Sequence, residues 1–334
     1  MIDAHVHLRP GSPDLLMERL NAFGARSFNA LGVPALWGDG NNLQCLAAKK
    51  RWPGRAWAFG GLHWRGRHCP APEQQLRLLL DAGFDGLKLL ETKPTLQKDL
   101  GFLPDDRHFE AMFKLAEERQ VPILWHVGDP ASFWDLSTAP DFAVANGWTY
   151  EGEGFLSLNE LYGRTERVLE RHPKLRVILA HLYFCSDDRA HLERLLSVYP
   201  NLHIDITPGS EMYRGFAADQ PGWKAFFHQH AGRILLGSDL TNEPEDAYWR
   251  DMSMLTRGIL GRAPFTVWDI RMDGFGLDEK QLAAITGGNF KRLAGENPKP
   301  LSRDGLAALM AFYRDNLDQQ GFAQCEEIYR GSFA

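Results

Sequence analysis

Apolar residues in this chain gather into short runs, separated by longer stretches in which they recur at helical spacing. Eight runs read as strands: Ile2–His7, Val33–Trp37, Ala56–Trp64, Gly86–Leu90, Pro122–Val127, Arg176–Leu182, Leu202–Thr207 and Ile234–Asp239. The middle ones are rich in Val, Ile and Leu, as strands covered on both faces should be. Helical patterns fall between them at Pro72–Ala82, Asp106–Arg119, Leu158–Arg171, Arg189–Tyr199 and Gly222–His230. The first closes at Gly83; the second opens on acidic residues and ends on basic ones, which suits the helix dipole. Repeated strand–helix order implies a parallel sheet. Eight such units in a chain of this length imply a closed (β/α)8 barrel of the TIM type, an α/β fold. A doubly wound open sheet is the alternative, but no Gly-rich phosphate turn follows the first run.

With the first strand at residue 2, we expect no N-terminal domain ahead of the barrel. The stretch from Gly128 to Asn159 is long for a strand-to-helix connection and reads as an elaborated loop over the mouth. Asp278–Leu293 gives a helix, and Ser302–Leu317 gives another outside the eight-fold repeat. The expected organisation is one barrel domain over 1–295 and a C-terminal helical extension over 296–334, packed on it.

Composition narrows the function classes. A net charge of -6 with scattered basic residues offers no footprint for nucleic acid or anionic lipid. The four cysteines, Cys45, Cys69, Cys185 and Cys325, show no CxxC spacing, which fits a reducing compartment and suggests neither a zinc ribbon nor a thioredoxin-like site. No leader pattern opens the chain, and no apolar run approaches the roughly 20 residues of a membrane helix. The expectation is a cytoplasmic protein acting on a small molecule, away from nucleic acid and membrane; the sequence leaves a homo-oligomer open.

Candidate chemistry sits at the ends of the runs. His5 and His7 alternate on the first strand and so face one side. If that side is the barrel interior, two imidazoles converge near the mouth, where barrel active sites lie. His126 closes the fifth run, His181 the sixth and Asp239 the eighth. A polar group ending an apolar strand is costly unless paired or bound to metal. Five ligand-type residues at matching strand ends make coincidence a poor explanation.

The order DxHxH, His, His, Asp at strand ends resembles the amidohydrolase superfamily, and within it the amidohydrolase-related group that includes aromatic-acid decarboxylases. Local matches are Trp125-His126-Val127-Gly128-Asp129-Pro130, Ala180-His181-Leu182, His203-Ile204-Asp205-Ile206 after Tyr199-Pro200-Asn201, Leu236-Gly237-Ser238-Asp239, and Gly287-Gly288-Asn289-Phe290-Lys291-Arg292-Leu293. The resemblance spans roughly residues 1–295. It implies one or two divalent metal ions, with zinc the default for His and Asp ligands and manganese or iron tolerated. With one metal, His5, His7, His126 and Asp239 surround it and His181 is free for acid–base work. With two, Lys88 on the fourth strand is carboxylated and bridges; His5, His7 and Asp239 hold one ion, and His126 and His181 the other. Lys88 could instead pair with Glu91 or Asp205, or touch the substrate, and the sequence leaves these readings open. Asp239 and His181 are the expected catalytic residues, with Asp239 passing a proton from water to the leaving group.

Around the mouth, Trp37 and Trp64 end the second and third runs, Trp134 and Trp148 lie in the long loop, and Arg65, Arg67, Tyr213 and Arg214 follow strands. Rings there could stack on a planar substrate and arginines could grip a carboxylate. Asp205 and His203 share one side of the seventh run, and Asp205 is a candidate to orient a ligating histidine or to form a structural salt bridge; His63, near the end of the third run, reads as a surface or core histidine rather than a mouth residue. The leading functional expectation is hydrolysis of an ester, lactone or amide of a small, ring-bearing acid. Alternatives are a metal-dependent decarboxylase, a TatD-like metal nuclease and a non-catalytic binding barrel. The nuclease pattern has a glutamate where this chain has Lys88, and a binding barrel would be expected to have lost its ligands.

Overall fold

The computed structural model describes residues 1–65, 68–243 and 248–333, less the side chain of Ser210. Eight parallel strands follow one another in chain order: β1 (Ile2–His7), β2 (Ser27–Leu31), β3 (Ala56–Gly60), β4 (Gly86–Thr92), β5 (Pro122–Val127), β6 (Arg176–Leu179), β7 (Leu202–Asp205) and β8 (Ile234–Leu235). The residues after β8 return to β1. Ala4 N donates to Leu236 O (2.8 Å), Asp239 N to His5 O (2.9 Å) and His7 N to Leu240 O (2.9 Å), which closes the barrel. This is the expected TIM-type architecture in a single domain.

Leu31, Trp57, Phe59, Leu124, Ile178 and Leu235 come from five different strands yet pack as one cluster, so they fill the barrel interior. Phe290 and Leu293 of the helix Asn289–Ala294 join them and plug the floor. Apolar burial of about 25 cal/mol per Å² is thus spent at the floor, and polar groups are left to the opposite end. A larger cluster lies between the outer strand faces and the helices.

Several boundaries differ from expectation. Val33–Trp37 is not a strand. The second strand is Ser27–Leu31, and Pro34–Trp37 forms one helical turn opened by Pro34, whose missing N–H costs nothing at that position. Polar Ser27 and Asn29 hid the real strand; Asn29 Nδ2 turns inward and donates to Ala4 O (3.1 Å). The third, sixth, seventh and eighth strands end earlier than expected, at Gly60, Leu179, Asp205 and Leu235. Beyond β6, His181, Leu182, Tyr183 and Phe184 all take left-handed backbone, with φ of 56°, 54°, 57° and 53°. Such a run of L-residues is unfavourable. It is tied down by Tyr162 OH donating to Tyr183 O (2.7 Å) and His181 N donating to Asp205 Oδ1 (2.7 Å).

The helix expected over 106–119 is a 3-10 turn, Arg107–Phe109, leading into Glu110–Glu118. That expected over 278–293 kinks between Glu279–Ala283 and Asn289–Ala294. An antiparallel hairpin, β9 (Pro264–Val267) and β10 (Ile270–Asp273), was not foreseen. The helix Arg303–Asn316 packs on Pro72–Ala82, and Gln319–Phe333 on Asn41–Arg51. Gly305 permits the first contact, since a Cβ there would lie 1.9 Å from Asp81 O. No helix among the described residues is long and apolar enough to cross a membrane.

Candidate metal centre

His5 and His7 reach the open end of the barrel from β1, and Asp239 meets them from the turn after β8. His5 Nε2 lies 3.2 Å from His7 Nε2, His7 Nε2 lies 3.1 Å from Asp239 Oδ1, and His5 Nε2 lies 3.6 Å from the same oxygen. Ligands placed about 2.0–2.1 Å from a zinc-sized ion at tetrahedral angles sit roughly 3.3 Å apart. The three donor atoms therefore already have the separation that one divalent ion requires.

Two carboxylates position this cluster. Asp205 Oδ2 accepts from His5 Nδ1 (2.8 Å), which leaves Nε2 as the free lone pair. Asp3 Oδ1 accepts from His5 N (3.1 Å) and Ser238 N (3.1 Å), while Ser238 Oγ donates to Asp3 Oδ2. The strand carrying the histidines and the turn carrying Asp239 are thereby pinned to one carboxyl group. Burial pushes Asp3 up to about 7, against the lowering effect of those bonds.

The protonation states suit metal binding, which needs neutral imidazoles and an ionised carboxylate. Burial lowers His7 to about 4 despite the nearby Asp239, and lowers His126 to about 4 despite Asp129. Burial, then the charges of His126 and His5, hold His181 well below the usual histidine range. The Asp239 side chain lines the pocket and is 42 % exposed; burial against the barrel raises it, but its bond to His7 and the adjacent histidines outweigh this and hold it well below the usual carboxylate range.

His181 and His126 stand beside the cluster, with ring centroids 5.1 Å from His5 to His181 and 4.9 Å from His181 to His126. His126 Nε2 is directed at Asp129 Oδ1 (3.3 Å). Lys88 is 2 % exposed, and its Nζ has no hydrogen-bond partner. Burial lowers it to about 8, against the attraction of Asp205, Asp239 and Glu91. Neither Asp205 nor Glu91 is hydrogen-bonded to it: Asp205 serves His5, and Glu91 accepts from Trp64 Nε1 (3.1 Å).

A pocket of about 680 Å³ opens above these groups. Of the expected mouth residues, Trp37 lines it, its ring 4.4 Å edge-on to His7, and Trp148 and Arg214 line it as well. Others do not reach it. Tyr213 is wholly buried, its hydroxyl 2.6 Å from Thr256 Oγ1, because it falls on the core face of the helix Ser210–Ala218. Trp64 packs on Phe102, and Trp134 donates to Leu156 O (3.0 Å) beneath the long loop. Arg65 is exposed and pairs through its backbone with His68, away from the pocket lining. Arg67 lies outside the described residues. His63 Nε2 donates to Asp39 O (2.7 Å) and is structural, and His203 shares Asp205's strand but sits at its opposite end near Asn201.

Sequence reasoning missed three further groups of the pocket. Asp129 joins His126 to Lys93, whose Nζ is 2.6 Å from Asp129 Oδ2 and 4.6 Å from the Trp148 ring centre; Tyr150 OH donates to the same oxygen. The signal was present, since Asp129 follows His126 by one turn's spacing in the loop that leaves β5. Glu211 also lines the pocket, and burial, with Asp129 nearby, raises it to about 7.

A family model described as amidohydrolase matches residues 2–295. No curated protein matches the chain. Among solved structures, an uncharacterised TIM-barrel protein from Bordetella bronchiseptica has 16% identity and a TM-score of 0.58, covering 89% of this chain and 99% of its own. A 2,6-dihydroxybenzoate decarboxylase complexed with 2,6-dihydroxybenzoate has 16% identity and a TM-score of 0.55, covering 87% of this chain and 98% of its own. A dihydroxybenzoic acid decarboxylase from Polaromonas sp. JS666, with bound manganese and the inhibitor 2-nitroresorcinol, has 15% identity and a TM-score of 0.54, covering 87% of this chain and 96% of its own.

Proposed function

Because this chain belongs to the amidohydrolase family, we propose that it is a metal-dependent lyase that removes a carboxylate, as carbon dioxide, from a small ring-bearing organic acid. The observation that carries the reading is that one set of three convergent donors, His5, His7 and Asp239, stands among the described residues. His126 is engaged by Asp129 and does not complete a second set of three among the described residues. The fold is shared with decarboxylases of dihydroxybenzoic acids, which supports the same direction.

A divalent ion, zinc or manganese, held by His5, His7 and Asp239 with His126 or His181 beside them, would supply Lewis-acid polarisation. The rest falls to the chain itself. Lys88 is the cation nearest the reacting end that no carboxylate holds by a hydrogen bond, so it draws an acidic group inward. Trp37 and Trp148 border the space a flat ring would take. When the bond to the carboxylate breaks, its electron pair stays on the ring carbon, which must take a proton. Asp239, ionised at rest, accepts a proton from an acidic group of the substrate and delivers it to that carbon, and solvent restores the balance. His181, neutral and adjacent, is the second group placed to move that proton.

Hydrolysis is the second reading, favoured by the bare Lys88 amine. A neutral buried amine can be carboxylated, and the resulting anion would recruit His126 and His181 to a second ion. Metal analysis with a turnover assay separates the two. We expect one equivalent of metal, ¹³CO₂ release from carboxyl-labelled hydroxybenzoic acids, and loss of that release in His5→Ala. Two equivalents of metal together with cleavage of a lactone or ester, and no carbon dioxide from any acid, would overturn the proposal.

A further inference from the structure

The pocket is far larger than the chemistry at its floor requires. A benzene-sized ring fills roughly 150 Å³, against about 680 Å³ here. The surplus lies toward solvent and is lined in a particular way. Nine large hydrophobic side chains are exposed among the described residues, and four of them, Leu36, Phe142, Tyr248 and Trp268, line this one pocket. They come from four separate segments of chain: the turn Pro34–Trp37, the helix Asp141–Ala145, the start of the helix Tyr248–Leu260, and the β9–β10 hairpin. Scattered single hydrophobics are ordinary on a surface, but a concentration around one opening is not.

The outer rings are also held in place. Tyr248 and Trp268 stack with centroids 5.7 Å apart and planes at 23°. Trp268 Nε1 donates to Asp251 Oδ2 (3.0 Å), and the neighbouring Asp269 takes a two-pronged contact from Arg214 (2.6 and 2.8 Å). The hairpin tip is thus braced to the pocket wall, and the stacked pair offers an aromatic surface that is already ordered before a ligand arrives.

We propose that the natural substrate is bipartite: a compact anionic ring seated at the His5–His7–Asp239 end, joined to a second apolar, ring-bearing part that lies across the pocket mouth between Phe142 and the Tyr248–Trp268 stack. This rests on the lyase reading above for its inner half and adds the outer half. The ordered aromatic pair makes a second ring, rather than a flexible chain, the group it fits best.

The test compares a hydroxybenzoic acid with the same acid carrying an aryl extension, on the metal-loaded protein. Wild type should favour the extended acid in kcat/KM on the order of tenfold, and Trp268→Ala or Phe142→Ala should bring that ratio close to one. Val198→Ala, which trims an exposed apolar side chain elsewhere, should keep the ratio. Equal rates for both acids in wild type, or a ratio unmoved by both mouth variants, would overturn the inference while leaving the lyase reading standing. If neither acid turns over, calorimetric binding of the pair decides it: tighter binding of the extended acid, lost in Trp268→Ala, upholds the bipartite ligand and fails only the reaction. A dimer in light scattering that falls apart in the mouth variants, with no preference for the extended acid, would show that a second copy covers these rings and overturn the proposal.

Discussion

The Nδ1 of His5 is 2.8 Å from Oδ2 of Asp205, two hundred residues away in sequence, and this bond decides which nitrogen of His5 faces the cluster. Both are fully buried. Asp205 also accepts the backbone N–H of His181 (2.7 Å) and of Thr207 (3.1 Å), so one carboxylate orders two histidines. Burial alone would raise it, but His5 and these bonds hold it well below the usual carboxylate range. In Asp205→Asn an amide hydrogen can face Nδ1 and drive the proton to Nε2, the wrong tautomer for a ligand. Metal affinity should fall roughly 10–100-fold, read by competition with a chromophoric chelator. Unchanged affinity would deny Asp205 its orienting role.

Lys88 gives the second prediction. A buried ammonium without a hydrogen bond is a cost to the fold. Lys88→Met keeps an unbranched side chain of nearly the same length and removes the charge. The metal-free variant should be at least as stable as wild type in urea, with activity lost and metal content still one equivalent. A drop in metal content from two equivalents to one would favour the carboxylated lysine instead.

Tyr213 separates core from pocket. Its hydroxyl meets Thr256 Oγ1, which also donates to Met252 O (2.9 Å). Tyr213→Phe should cost about 1 kcal/mol of stability and leave kcat/KM unchanged. A rise in KM without a change in melting temperature would return this residue to the substrate.

His63 carries a pH prediction. Burial lowers it to about 4, although its contact with Asp39 O acts the other way. Between pH 6.5 and 4 the unfolded chain binds a proton at this residue and the folded chain does not, so stability is full above 6.5 and is lost as the pH falls through that window. The loss from this one group is at most roughly 3 kcal/mol. His63→Gln should flatten the acid limb of a urea-midpoint profile by that share. Equal slopes in both proteins would rule the group out.

How far the sequence led can be seen residue by residue. β5 was legible from end to end because its apolar run stops at His126 and Val127; β4 and β6 were legible at their starts, but β4 runs on to Thr92 and β6 stops at Leu179, short of the expected Leu182. The second strand was not legible, because Ser27 and Asn29 break its apolar pattern while Val33–Trp37 imitates a strand despite Pro34. His5, His7 and Asp239 could be brought together on paper because strand ends share one rim. Tyr213 could not be excluded that way, since a residue on a helix after a strand faces core or mouth according to a rotation the sequence leaves unset. The Lys93–Asp129 pair, 36 residues apart, lies in two different loops and is visible only once β4 and β5 are neighbours.

Asp239 provides the sharpest test, because its backbone and its charge can be separated. Its φ is 59°, a left-handed conformation that Asp and Asn adopt more readily than other side-chain-bearing residues. Its N–H donates to His5 O (2.9 Å), and the turn is also fastened through Ser238 to Asp3. Asp239→Ala would therefore disturb both the turn and the site. Asp239→Asn keeps the turn and removes only the anion that completes the three-donor set with His5 and His7. The metal-free variant should melt within a few degrees of metal-free wild type, whereas the stabilisation that wild type gains on adding zinc or manganese, RT ln(1 + [L]/Kd), should largely vanish. A variant that still gains the full metal-dependent rise in melting temperature would show that the ion is held elsewhere in the barrel, and the assignment of His5, His7 and Asp239 would fail with it.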